Sequence, residues 1–259
     1  MPITFRPAAA RTASSLGGRF ADHCLSRLAA LWPSACALCG GAGDPVCRAC
    51  TAHYFDPWTA RCPRCALRLP GHARDAGLLC GQCLQRPPAF DATVVAGDYQ
   101  APIDNLVLAL KFGKRLALAA TLAQLLHQAL CARPGFEHPE LMTAVPLGRQ
   151  RLAQRGFNQA LEIAKPLAKA SAIPLLPRLA QRQRETPAQT LLTPDLRRRN
   201  LRHAFMLADD AAERIRGRHV AIVDDVVTTG ATVGELAAVL KRGGAARVSV
   251  LAFARTPAH

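Results

Sequence analysis

Apolar positions change their rhythm near residue 90, and that change divides the chain. Residues 92–99 are a short apolar run and read as a strand. Over 102–112, Ile103, Leu106, Val107 and Leu110 recur at helical spacing, and 116–132 carries a second, longer helix. Residues 141–147 read as a strand ending near Pro146. A helix follows over 158–171, with Asn158 placed to cap it. Residues 179–202 are polar and Arg-rich and carry no clear period. Residues 219–224 form another apolar strand. Residues 232–242 form a helix with Val233, Leu236, Ala237 and Leu240 in register, stopped by Gly243 and Gly244. Residues 247–254 are the last strand. This alternation predicts an α/β domain over 90–259, a mostly parallel sheet flanked by helices.

Before residue 90 the pattern is different. Residues 36–86 have few apolar runs, many Gly and Pro, and most of the cysteines, and Arg86-Pro87-Pro88 reads as a linker. Residues 1–35 are a basic leader with Arg6, Arg11 and Arg19 and a short amphipathic segment at 25–31. The leader lacks the apolar stretch and small-residue cleavage site of a secretory signal; its Arg-rich, acid-poor start reads as a frayed basic tail, with an organelle transit peptide as the alternative. The longest apolar stretch, 99–126, is interrupted by Asp104, Lys111, Lys114 and Arg115, so no membrane span is expected.

Half of the 259 residues are apolar, enough to bury a full core and leave a small module beside it. The formal net charge of +15 favours polyanionic partners: nucleic acid, anionic membrane or phosphate-rich small molecules. An Arg-rich solvated surface would give the same number.

Eight of the ten cysteines fall into four Cys-x-x-Cys pairs: Cys36/Cys39, Cys47/Cys50, Cys62/Cys65 and Cys80/Cys83. With no secretory signal, such pairs read as zinc knuckles in a reducing compartment. Each turn points two sulfurs at one ion, and two turns complete a tetrahedron. Four turns therefore predict two all-cysteine zinc sites, structural because no coordination position is left open. Sequential grouping, the first two pairs on one ion and the last two on the other, closes the shorter loops and gives a double zinc ribbon. A cross-braced grouping is the alternative. Cys131 ends an apolar helix and is expected to be buried, and Cys24 has no assignable role.

The richest chemistry lies at His219 to Thr232. An apolar strand runs into Asp224 and Asp225, then Val226, Val227, Thr228, Thr229, Gly230, Ala231 and Thr232 lead into a helix. Backbone N–H groups at a helix N-terminus favour an anion. Threonine hydroxyls add donors, and Gly230 lets the backbone approach a phosphate closely. Carboxylates at the carboxyl end of a parallel strand stand where such sheets bind ligands; they can accept from ribose hydroxyls or hold Mg2+. The spacing is neither that of a nucleotide-triphosphatase loop nor that of a dinucleotide fingerprint. It resembles the phosphoribosyl-diphosphate (PRPP) motif of type I phosphoribosyltransferases.

Three further stretches fit around it. Val145-Pro146-Leu147 precedes a basic loop containing Arg151 and the run Arg155-Gly156-Phe157-Asn158-Gln159, suited to pyrophosphate. Lys111-Phe112-Gly113-Lys114 places lysines that reach a phosphate or sit at a helix C-terminus. Arg184-Glu185-Thr186-Pro187-Ala188-Gln189, running on to Arg197–Asn200, reads as a lid over an anion, as a loop, or as a nucleic-acid contact. Seven arginines lie between 178 and 202, without the interleaved aromatics of a single-strand stacking surface.

In this order these motifs resemble the ComF family, from about Cys36 to the C-terminus. The resemblance implies a type I phosphoribosyltransferase fold, a cytoplasmic location and, for some members, a link to DNA uptake. The sequence leaves the oligomeric state open, with a homodimer among the options because dimers are common in the wider fold. As an enzyme, the chain would bind PRPP and Mg2+ and let an unidentified acceptor displace pyrophosphate. Asp224, Asp225, Lys111, Arg151 and Arg155 would be the catalytic set. No general base is visible, so a nitrogen acceptor would have to be nucleophilic already. As a binding module, the same fold would sense PRPP or hold single-stranded DNA, with the cysteine module docking a competence helicase or recombination protein.

Overall fold

The computed structural model describes residues 35–70, 77–183 and 204–258. The leader, Cys24, His72 and the 184–200 stretch lie outside the described residues. The sheet is four-stranded and all parallel: β1 (Ala92–Asp98), β2 (Leu141–Ala144), β5 (His219–Val227) and β6 (Arg247–Arg255), in the order β1-β6-β5-β2. A short antiparallel pair, β3 (Ala180–Arg182) and β4 (Phe205–Leu207), brackets the 184–203 stretch. β6 is buried at eight of its nine positions, as expected when helices cover both faces of a parallel sheet.

Three long helices make that cover: α4 (Leu118–Cys131), α6 (Gln159–Ser171) and α8 (Ala231–Arg242). On α6 the buried face is Ala160, Ile163, Ala164 and Leu167, an i, i+3, i+4, i+7 stripe; α6 packs on β2, β5 and α4. α8 lays Val233, Leu236, Ala237 and Leu240 against β5, β6 and β4. At its end a Cβ on Gly243 would come within 2.3 Å of Leu207, so glycine permits β4 to approach. Asn158 caps α6 as expected, accepting from the amides of Ala160 and Leu161 and donating to the Val145 carbonyl at 3.0 Å.

The shorter helices are α1 (Arg48–Tyr54), α2 (Gly81–Gln85), α3 (Asp104–Lys111), α5 (Arg149–Arg155) and α7 (Ala211–Ile215). Three expectations are corrected. The basic stretch after Pro146 is helix α5, closed by Gly156 at φ 84°. β5 runs through both acids to Val227, three residues beyond the expected end. Cys131 is exposed, because the last turn of α4 faces it to solvent near His127 rather than into the core.

The cysteine module sits on the outer edge of β1, which pairs with β6 on its other side. The Thr93 amide donates to the Pro63 carbonyl and the Thr93 hydroxyl to the Arg64 carbonyl. Arg133, beyond α4, donates to the carbonyls of Thr93 and Pro63. Arg61 pairs with the buried Asp98 at the end of β1 at 2.5 Å. Phe55 packs on Phe253 of β6, with ring centroids 5.8 Å apart.

Candidate functional site

The carboxyl end of β5 carries the two acids into the turn that opens α8. Gly230 adopts φ 79°, a left-handed conformation that suits glycine, and is the N-cap of α8. Buried Phe90, from the segment after the linker, lies beneath it. Thr228 and Thr229 are exposed, while Gly230, Ala231 and Thr232 are half-buried. The Thr229 hydroxyl accepts from the Ala231 amide at 3.3 Å, so one loop amide is held ready by a weak internal bond that an anion can replace.

The acids differ. Asp225 is buried: Lys111 forms an ion pair with Oδ2, and Gln159 Nε2 donates to Oδ1 at 3.1 Å. Asp224 accepts from the Asp225 amide at 2.9 Å. Dense packing around its carboxyl pushes the Asp224 pKa well up, and the Asp225 charge adds to that push, with Lys111 opposing it. Two adjacent carboxylates, Asp225 already paired with Lys111, offer the oxygen donors that Mg2+ takes.

The positive groups converge on the same place. α3 ends at Lys111, and α5 ends at Arg155, whose guanidinium donates to the Gln159 side chain and lies 5.5 Å from the Phe112 ring centroid. Burial pushes the Arg155 pKa down; the Asp225 charge opposes that, and Arg151 reinforces it. Lys111 thus pairs directly with Asp225, Gln159 links that carboxylate to Arg155, and the Arg151 charge is felt at Arg155. Sequence reading placed Gln159 in a motif but gave it no task; its burial in the first turn of α6 makes it the bridge. Exposed Phe112 was likewise read only as part of a motif.

The cysteines form two groups in the sequential arrangement: Cys36, Cys39, Cys47 and Cys50, then Cys62, Cys65, Cys80 and Cys83. Within each group the ligand atoms all lie within 4.8 Å of one another. Amides also point at sulfur, Cys47 to Cys36 and Cys80 to Cys62, each at 3.4 Å. In the second group a hydrogen bond from Cys65 pushes the Cys62 thiol pKa down, and the same contact pushes Cys65 up. Four such thiols cannot all ionise without a cation between them, and both groups fit a tetrahedral zinc ion.

A phosphoribosyl transferase domain profile matches residues 158–259, which hold the acids, the loop and Gln159. The DNA utilization protein YhgH of Escherichia coli K12 is 40% identical over 198 residues, 75% of this chain and 84% of that protein. Competence protein F of Haemophilus influenzae is 34% identical over the same shares. The chain belongs to the ComF family. A shorter match within the family is competence protein ComFC of Bacillus subtilis, 30% identical over 118 residues, 45% of each chain. Among solved structures, a B. subtilis glutamine PRPP amidotransferase complexed with ADP and GMP aligns at 20% identity with a TM-score of 0.34. That alignment covers 51% of this chain and 25% of that one. The ComF chain has a phosphoribosyltransferase-type fold beside two cysteine groups able to hold zinc, and among its described residues no helix is long and apolar enough to cross a membrane.

Proposed function

We propose that this ComF protein binds PRPP with Mg2+ and transfers its phosphoribosyl group to an acceptor, which displaces pyrophosphate from the anomeric carbon. The observation that carries the reading is Asp224 and Asp225 at the end of β5, followed directly by the Gly230 turn and the N-terminus of α8. The 5′-phosphate sits on the amides and hydroxyls of Thr228 to Thr232. The ribose hydroxyls face Asp224 and Asp225. Lys111, Arg151 and Arg155 meet the pyrophosphate and stabilise its charge as the anomeric bond breaks through an oxocarbenium-like state. Gln159 keeps Arg155 and Asp225 in register. Asp224 and Asp225 would hold Mg2+, which would supply positive charge to offset that of the departing pyrophosphate. Zinc in both cysteine groups staples the 36–86 module, which the contacts to β1 support treating as folded together with the 90–259 domain.

Isothermal titration with PRPP and Mg2+ tests this on the wild type, Asp225→Asn and Thr229→Ala. Binding by the wild type, weakened in both variants, supports the site; no binding at millimolar ligand removes it. Pyrophosphate release across a panel of bases separates an enzyme from a PRPP sensor.

The +15 charge and the names of the relatives, DNA utilization protein and competence protein, favour a second role on DNA. In that role the protein serves DNA uptake by holding single-stranded DNA or a partner.

A further inference from the structure

Arg255 closes β6, stands beside Val227 in the parallel register, and is buried to 6% exposure. Its guanidinium donates to backbone carbonyls in two places at once. Nε reaches the Cys65 carbonyl at 3.1 Å, in the second cysteine group. Nη1 reaches the carbonyls of Val227 at 3.2 Å, Thr228, and Thr256 at 2.8 Å. One rigid, planar group thus spans a cysteine turn and the start of the phosphate loop.

The direction of these bonds matters. Across a trans peptide, the carbonyl of one residue and the amide of the next point opposite ways. Drawing the Val227 and Thr228 carbonyls toward Arg255 therefore turns the Thr228 and Thr229 amides away from it, in a stretch where both residues are exposed. The Cys62–Cys65 turn is itself held hard: the carbonyls of Pro63, Arg64 and Cys65 are bound by Thr93, Arg133 and Arg255. The Cys36–Cys39 turn instead bonds to Gly41 and Pro45 of its own loop.

We propose that Arg255 is a positioning residue that couples the second cysteine group to the phosphate loop. Metal in Cys62, Cys65, Cys80 and Cys83 fixes the Cys65 carbonyl, Arg255 passes that position to Thr228, and affinity for the ligand phosphate depends on it. Among the described residues, the first group reaches β6 through the packing of Phe55 on Phe253 and not through a hydrogen bond to the phosphate loop. The ligand half of this statement rests on the PRPP reading above; the mechanical half does not.

Amide hydrogen exchange over 226–232 and titration with PRPP and Mg2+ test it on the zinc-loaded full chain. Arg255→Met should keep both zinc ions by metal analysis, expose the loop amides to faster exchange, and weaken PRPP binding about tenfold, the effect of losing hydrogen bonds from a charged donor. Arg255→Lys should fall between, because an ammonium cannot span both sets of carbonyls. Cys83→Ser should speed loop exchange as Arg255→Met does, and by much more than Cys50→Ser in the first group. Unchanged loop exchange in Cys83→Ser with one zinc lost, or an equal change in Cys50→Ser, overturns the coupling. If Arg255→Met does not fold, Arg255→Lys and the two cysteine variants decide. If the wild type binds no PRPP, the functional reading falls, while the exchange comparison still decides the coupling.

Discussion

Replacing Lys111 by Met strands a buried carboxylate. The Asp225 side chain is 3% exposed and that of Lys111 20%. Removing one partner of such a pair costs about 3–5 kcal/mol, most of it the penalty of leaving the other charge alone. Gln159 still donates to Asp225 at 3.1 Å, which places the expected cost at the low end, about 3 kcal/mol. For a chain of this size that lowers Tm by roughly 6–12 °C. In an Asp225→Asn background no buried charge remains to be stranded, so the same Lys111→Met change should cost under about 1 kcal/mol. The double-mutant cycle thus predicts a coupling of about 2 kcal/mol. Urea melts of the four zinc-loaded proteins without PRPP measure it. Equal costs of Lys111→Met in the two backgrounds would show that Lys111 does not neutralise Asp225, and would refute the arrangement drawn for the site.

Three other expectations concern the acids, the metal and the charge. The raised pKa of Asp224 means that the native state holds this proton more tightly than the unfolded chain does; its stability is fullest below the ordinary value of 3.8 and declines as pH rises through the raised one. Asp224→Asn should therefore melt above wild type at neutral pH, with the gap closing toward pH 3.8, while losing Mg2+-dependent PRPP binding; a pH-independent gap in differential scanning would refute the assignment. Metal analysis should find two zinc ions per chain, one for each cysteine group, and chelation should unfold the module; one ion, or an iron–sulfur absorbance, goes against it. Single-stranded DNA affinity should fall steeply between low and moderate salt, and a flat response removes the phosphate-contact role.

Sequence reading was strongest where local pattern and burial agree. The run into Asp224, the stripe on α8 and the Asn158 cap are each written within a few neighbouring residues. The cysteine grouping was only favoured by the shorter loops between consecutive turns; the cross-braced alternative stayed open until the sulfurs were placed together in space. Helix α5 was not, since none of its residues is buried and no apolar stripe marks it; Gly156, left-handed just past its end, was the available signal. Strands β3 and β4 are three residues each and owe their pairing to contact across a long separation, which local pattern does not carry. Gln159 and Arg255 were illegible for the same reason: their partners lie 66 and 190 residues away.

The clasp between Thr93 and the Cys62–Cys65 turn also bears on how this fold can be divided. A fragment beginning at residue 90 would open the outer edge of β1, freeing the Thr93 amide and leaving Asp98 without Arg61. An uncovered parallel edge is a template for another chain, so such a fragment should self-associate rather than serve as a minimal domain. Exchanging cysteine heads between relatives would meet the same barrier unless the residues facing Thr93, Asp98 and Arg133 were carried along, so head and sheet are expected to vary in concert.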